Sequence, residues 1–236
     1  MEPVIKVENL VQKMGRKILL KEISFEVFPG ECLGIFGTRG TGKTSLLHIL
    51  AGVERFTSGQ VEVLGSNVRK SEKFKRDLGL VTQQKSLFLD MTVGENLDFI
   101  AALKKASRAD VLEMIERYEL NSFLSEPITS LDPIGVFQRL SLACAMLNRP
   151  KVLIADELIK DIDLYSRNLI LRELERFQAE GGTCICAFSN MTFCHYMSRV
   201  GWLESGEMTL YEAKGAQAEW NRQEKFYTEQ SERHHA

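Results

Sequence analysis

An excess of charge of one sign, a long apolar run and a cluster of metal-ligating residues are all missing from this chain. Each absence removes a class of function. Thirty Lys and Arg stand against 32 Asp and Glu over 236 residues, a formal net charge of −2. A balance that even sets up no field for a nucleic-acid backbone or an anionic membrane surface, so no nucleic-acid partner is expected. The uncharged run Thr183 to Ser198 carries Ser, Asn, Thr and His and falls short of the ~20 apolar residues of a spanning helix. No early stretch pairs a basic segment with an apolar one, so no secretory signal is expected. The five cysteines (Cys32, Cys144, Cys184, Cys186, Cys194) are odd in number and mostly sit in apolar segments, as reduced, buried thiols do. Cys184 and Cys186 are one residue apart where a redox pair has two between, and no second Cys/His pair suggests zinc. Internal repeats, low-complexity tracts, long heptads and an Asn-Lys-x-Asp guanine motif are also missing.

What is present fits an ordinary globular protein, with 44% hydrophobic and 26% charged residues. The length suits one domain with an insertion. Residues 4–10 and 23–28 alternate apolar and polar, as half-buried antiparallel strands do. Short strands follow at 31–37, 59–65 and 78–83, with a helix at 44–53. From 84 to 147 the pattern is mainly helical; within it Asp132 is placed to cap a helix that Pro133 begins. The apolar run 151–155 predicts a strand covered on both faces. A helix over 164–179 stops at Gly181-Gly182, strands follow at 183–188 and 200–205, and Gly206 begins a turn. Polar residues 212–236 predict a terminal helix and a frayed tail. Strand–helix alternation with a helical insertion and an antiparallel edge makes the fold class α/β.

Two stretches carry chemistry. "GTRGTGKT", from Gly37 to Thr44, fits G-x-x-x-x-G-K-[ST] with a strand before it and a helix after. In such a loop, Gly37, Thr38, Arg39, Gly40, Thr41 and Gly42 let backbone N–H groups curl around phosphate oxygens. Lys43 offsets β/γ charge, and Thr44 can ligate Mg²⁺; Ser45 follows in the first helical turn. The second stretch, "VLIADE", is an apolar strand ending in two carboxylates. Asp156 sits where a strand-end carboxylate can hold Mg²⁺, and Glu157 where a base can polarise a water aimed at a γ-phosphate.

With these residues in place the chain resembles the nucleotide-binding subunits of ABC transporters, over nearly its whole length. The resemblance is carried by "GTRGTGKTSLLHILAG", "SGQVEVLG", "LGLVTQ", "MTVGENL" and "RPKVLIADE" and their spacing. It implies a P-loop NTPase (RecA-like) core with an antiparallel β-subdomain and an inserted helical subdomain at about 84–147, the whole of 1–236 forming one domain. It implies ATP and Mg²⁺ as ligands, a second ATP-binding subunit, homologous or identical, and a place beside an integral membrane permease on the cytoplasmic face. Gln83 takes the Q-loop position, which implies contact with Mg²⁺ or the attacking water. Together with "TVGENLDFIAAL" it resembles export-type subunits most.

Several positions depart from the family pattern. The signature LSGGQ falls on Asp132-Pro133-Ile134-Gly135-Val136, and only Gly135 is retained. Pro133 replaces the serine that would meet the opposite subunit's γ-phosphate and removes one donor, while the charge of Asp132 opposes that phosphate. Met14 stands where an aromatic would stack on adenine. The switch histidine is replaced by Phe188, Ser189 or Asn190, with His195 further on. "KDID" keeps Asp163 but has Asp161 where a small residue is usual. The expectation is an ATPase weak in isolation that works beside a better-preserved subunit. The alternative is a regulatory ABC protein acting through ATP-dependent pairing.

Overall fold

Local sequence pattern accounts for most of the elements. The computed structural model describes residues 2–83, 86–131 and 134–222. In chain order these form β1 (Ile5–Met14), β2 (Lys17–Val27), β3 (Cys32–Phe36), α1 (Lys43–Leu50), β4 (Ser58–Val63), β5 (Ser66–Asn67) and β6 (Leu78–Val81). Then follow α2 (Val93–Lys104), α3 (Arg108–Arg117), α4 (Ile134–Met146), β7 (Val152–Asp156), α5 (Leu164–Ala179), β8 (Thr183–Phe188), β9 (Arg199–Glu204) and β10 (Glu207–Glu212). A last helical stretch covers 213–222.

The strands form two sheets. An antiparallel sheet has the order β2-β1-β4-β5, and a six-stranded sheet the order β10-β9-β3-β8-β7-β6. Within the larger sheet β9, β3, β8, β7 and β6 are parallel, and β10 closes one edge antiparallel to β9. Side chains alternate across a strand, and here both faces of the parallel sheet are covered. Val152 and Ile154 join α1 and the antiparallel sheet in one core, while Leu153 and Ala155 join α2 to α5 in another. That division makes 151–155 a continuous apolar run.

The helical region is pinned by its own caps. Thr92 and Glu95 form a capping box at α2, and Ser107 and Asp110 form one at α3. Asn96, fully buried, ties the segment before α2 to it: its amide donates to the carbonyls of Phe88 and Thr92.

The differences from the sequence reading have local causes. The predicted helix 44–53 stops at Leu50, and the predicted strand 78–83 stops at Val81, leaving Gln83 in a bend. β10 occupies residues read as a turn and polar tail. It has β9 alone as a strand partner and leaves Glu207, Thr209 and Leu210 exposed, so little burial marks it. Of the predicted terminal segment, 213–222 is helical and the rest lies outside the described residues. The predicted cap Asp132 and helix-opening Pro133 also lie outside them, and α4 is described from Ile134.

Candidate functional site

The loop after β3 is built to present backbone donors. Gly40 and Gly42 have φ of +83° and +108°, conformations that a Cβ penalises. Gly42 is the N-cap residue of α1, whose first turn holds no acidic residue. The positive end of the helix dipole therefore meets the loop uncompensated, as suits an anion. Gly37 has no room for a side chain, since a Cβ there would lie 2.6 Å from both the Leu203 carbonyl oxygen and Thr41 Oγ1. The ammonium of Lys43 donates back into the loop, to Gly37 O at 2.6 Å and Thr38 O at 3.3 Å. The same Nζ lies 3.5 Å from Glu157 Oε1, with both side chains about 8% exposed.

β7 ends against this loop. Thr44 Oγ1 donates to Asp156 Oδ2 at 2.6 Å, and Asp156 Oδ1 is buried with no hydrogen-bond partner. Burial, aided by the neighbouring Glu157 charge, pushes the Asp156 carboxyl above its usual range, against the opposing pull of the Thr44 bond. An unpartnered carboxylate oxygen beside a threonine hydroxyl is the oxygen donor set that suits Mg²⁺. Glu157, the next residue, leaves the strand in the left-handed region at φ +51°, and its carboxylate is held by Lys43 and by Ser189, whose Oγ donates to Oε2 at 3.1 Å.

A cavity of about 600 Å³ joins Arg39, Gly40, Gly42, Lys43, Thr44 and Ser45 to Gln83, Asp156 and Glu157. Gly37, Thr38 and Thr41 are not among its lining residues; Gly37 and Thr38 hold the lysine from beneath, and Thr41 Oγ1 caps the Thr38 carbonyl at 3.0 Å. The hydroxyl of Ser45 is turned away, donating to Glu54 Oε1 at 2.6 Å, which Gln12 Nε2 also reaches. Met14, 67% exposed, stands on the cavity wall with Lys17 and Lys160. Of the candidates for the switch-histidine position, only Ser189 lines the cavity. Phe188 is buried against Phe36, and Asn190 accepts from the Thr192 N–H at 3.0 Å. His195 is exposed and packs on Tyr196. Glu54 and Lys160 went unread in the sequence, because no motif marks either.

The signature region is described only from Ile134. A Cβ on Gly135 would lie 2.1 Å from Asp163 Oδ2 and 2.4 Å from Ser166 Oγ. Asp163 in turn caps α5, Oδ1 accepting from the Ser166 N–H at 2.8 Å. The retained glycine and the retained aspartate are thus packed on each other.

A parallel sheet whose strand runs through a glycine loop into a helix, opposite a strand-end aspartate, is the fold of the P-loop NTPases. The chain belongs to the ABC transporter family: the family model described as "ABC transporter" matches residues 20–160. The probable multidrug ABC transporter ATP-binding protein YbhF of Escherichia coli is 30% identical over 88% of this chain and 36% of its own length. The linearmycin resistance ATP-binding protein LnrL of Bacillus subtilis is 29% identical over 87% of this chain and 68% of its own. The spermidine/putrescine import ATP-binding protein PotA of Aggregatibacter actinomycetemcomitans is 31% identical over 77% and 50%. The chain thus spans about a third of YbhF and half of this PotA. Among solved structures, a chain from the dimeric structure of MJ0796, a bacterial ABC transporter cassette, superimposes with a TM-score of 0.81 at 25% identity, covering 89% of this chain and 98% of that one. Among the described residues, no helix is long and apolar enough to cross a membrane.

Proposed function

We propose that this chain is an export-type ATP-binding subunit that binds MgATP through its glycine loop and energises a membrane permease, with hydrolysis impaired when it is alone. The observation that carries the reading is the meeting of Lys43, Thr44, Asp156 and Glu157 in one cavity at the strand ends. The amides of the loop and the Lys43 ammonium would take the β- and γ-phosphates, and Thr44, Asp156 and Gln83 would hold Mg²⁺. Bound with the nucleotide, Mg²⁺ neutralises charge on the phosphate oxygens. Phosphate binding draws Lys43 away from Glu157, which frees that carboxylate to take a proton from the attacking water.

The impairment rests on Asp132-Pro133, which occupy in sequence the first two places of the family's signature, the motif that meets an opposite subunit's γ-phosphate in the family. In a pair with an intact partner, the site on this chain's loop is completed by the partner and the other site is degenerate. The export assignment is supported by Gln83, by "TVGENLDFIAAL" and by relatives named for multidrug transport and linearmycin resistance. We place the subunit in the cytoplasm, peripheral on the permease's cytoplasmic face, because family members work there.

Affinity purification from detergent-solubilised native membranes tests the reading. A permease and a second ATP-binding subunit are expected to co-purify, with feeble ATPase from the single chain and rescue by the partner. Rapid turnover by the purified chain would refute the impairment. The variant Glu157→Gln is expected to trap ATP, and unchanged hydrolysis would remove the proposed role of Glu157.

A further inference from the structure

Glu54 adds a carboxylate to the cavity wall, away from the strand end that carries Asp156 and Glu157. Its oxygen Oε1 accepts two hydrogen bonds of 2.6 Å, from Ser45 Oγ in the first turn of α1 and from Gln12 Nε2 on β1. Gln12 is 8% exposed and fully engaged: Nε2 also donates to the Arg55 carbonyl at 3.0 Å, and Oε1 accepts from Thr57 Oγ1 at 3.5 Å. The pairing of β1 with β2 slips on both sides of Gln12. Irregularities of this kind re-aim a side chain, and this one accompanies the turn of Gln12 toward Glu54.

The two partners of Glu54 belong to different layers. Ser45 follows the glycine loop, which β3 of the six-stranded sheet carries, whereas Gln12 and Met14 end a strand of the antiparallel sheet. Both layers line the cavity, the first through Gly40, Lys43 and Thr44 and the second through Met14, Lys17 and Leu19. Glu54 is thus a brace across the seam between them.

We infer that Glu54 is a positioning residue that fixes the phosphate loop against the β1–β2 hairpin, so that a ligand long enough to touch both walls is held better than its phosphates alone. This rests on the reading of the cavity as a MgATP site. With the triphosphate on the loop amides and Lys43, the nucleoside has Met14, Lys17 and Leu19 as its wall. The brace acts through hydrogen bonding and not through charge, because both of its donors are neutral. The negative charge itself counts against any anion in the cavity.

The test is calorimetric titration of wild-type, Glu54→Gln, Glu54→Ala and Gln12→Leu chains with MgATP and with inorganic magnesium triphosphate, which meets the loop alone. The ratio of the two affinities is the readout, and triphosphate binding shows that a chain keeps its folded loop. Glu54→Ala and Gln12→Leu are expected to lower the ratio about fivefold, part of what a hydrogen bond to a charged group is worth. Glu54→Gln keeps an acceptor oxygen for Ser45 and Gln12 and holds the ratio within about twofold of wild type. Its loss of charge tightens both ligands about two- to fivefold. A Glu54→Ala ratio equal to wild type, or equal falls in the Ala and Gln variants, overturns the assignment. So does a wild-type chain that binds triphosphate as tightly as ATP, since the hairpin wall then adds nothing. Failure of the wild type to bind either ligand overturns the nucleotide reading itself, and this assignment with it.

Discussion

Replacing Asp156 by Asn separates what this carboxylate costs the fold from what it does for a ligand. The side chain is 2% exposed, Oδ1 has no partner, and Oδ2 has Thr44 alone. A buried acceptor left unpaired costs about 1–3 kcal/mol, and burial of the ionised form adds to that. The amide of Asn keeps an oxygen for Thr44 and discards the charge, but leaves an unpaired NH₂ in the other position. The expected net gain is about 1 kcal/mol, or ~2–4 °C in Tm for a chain of this size. The pH dependence has a definite sign. Because burial raises the folded-state pKa of Asp156, its destabilising effect is absent at acid pH and grows as pH rises through that pKa. The melting curves of the Asp156→Asn variant and the wild type should therefore coincide near pH 4 and separate toward pH 7. Saturating MgATP reverses the order: at 100 times Kd the wild type gains about 2.7 kcal/mol, and the variant, lacking the carboxylate, gains far less. Differential scanning fluorimetry in EDTA and in MgATP, from pH 4 to 8, reads both halves. A variant less stable than wild type in EDTA at pH 7 would refute the reasoning, as would equal MgATP stabilisation of both chains.

Met14→Tyr supplies the flat ring missing from the cavity wall, and stacking worth about 0.5–1.5 kcal/mol should tighten ATP two- to tenfold in calorimetric titration. An unchanged affinity would show that the base does not reach Met14. Gly135→Ala drives a methyl into the α5 cap at Asp163 and Ser166, and the urea midpoint should fall by the equivalent of about 1–3 kcal/mol. Lys104 donates to the Ala145 carbonyl and Asn148 Oδ1, both at 2.9 Å, and burial pulls its amine down to about 8. Between pH 8 and 10 the unfolded chain holds that proton and the folded chain has released it, so stability rises with pH there by up to about 3 kcal/mol. Lys104→Gln should flatten that rise in denaturant titrations, and a slope equal to wild type would exclude Lys104 as its source.

The core strands were legible because each is a short apolar run set off by glycine, proline or polar residues, and the helix 164–179 because two glycines stop it. The glycine loop was legible because phosphate binding imposes residue types at fixed local spacing. β10 was not, since its six residues follow directly on a glycine turn and only their pairing with β9 shows that the chain reverses there. Neither was the turning of Ser45 toward Glu54, because nothing local in the sequence sets that hydroxyl's direction. The identity of the residue at the switch-histidine position was also hidden. Phe188, Ser189 and Asn190 are adjacent in sequence, and a slip of one residue in alignment exchanges them.

By itself, then, the sequence determined the chemistry available: a loop of amides with one lysine, a hydroxyl for a hard cation, and two carboxylates at a strand end. Spacing along the chain encodes those, because each motif is a few residues long. The tertiary structure decided which groups meet. Parallel pairing of β7 with β8 brings Ser189 to Glu157 across 32 residues of chain, and packing of α4 on α5 seats Gly135 on Asp163. Both contacts depend on sheet register and helix approach, which arise only when the whole core closes.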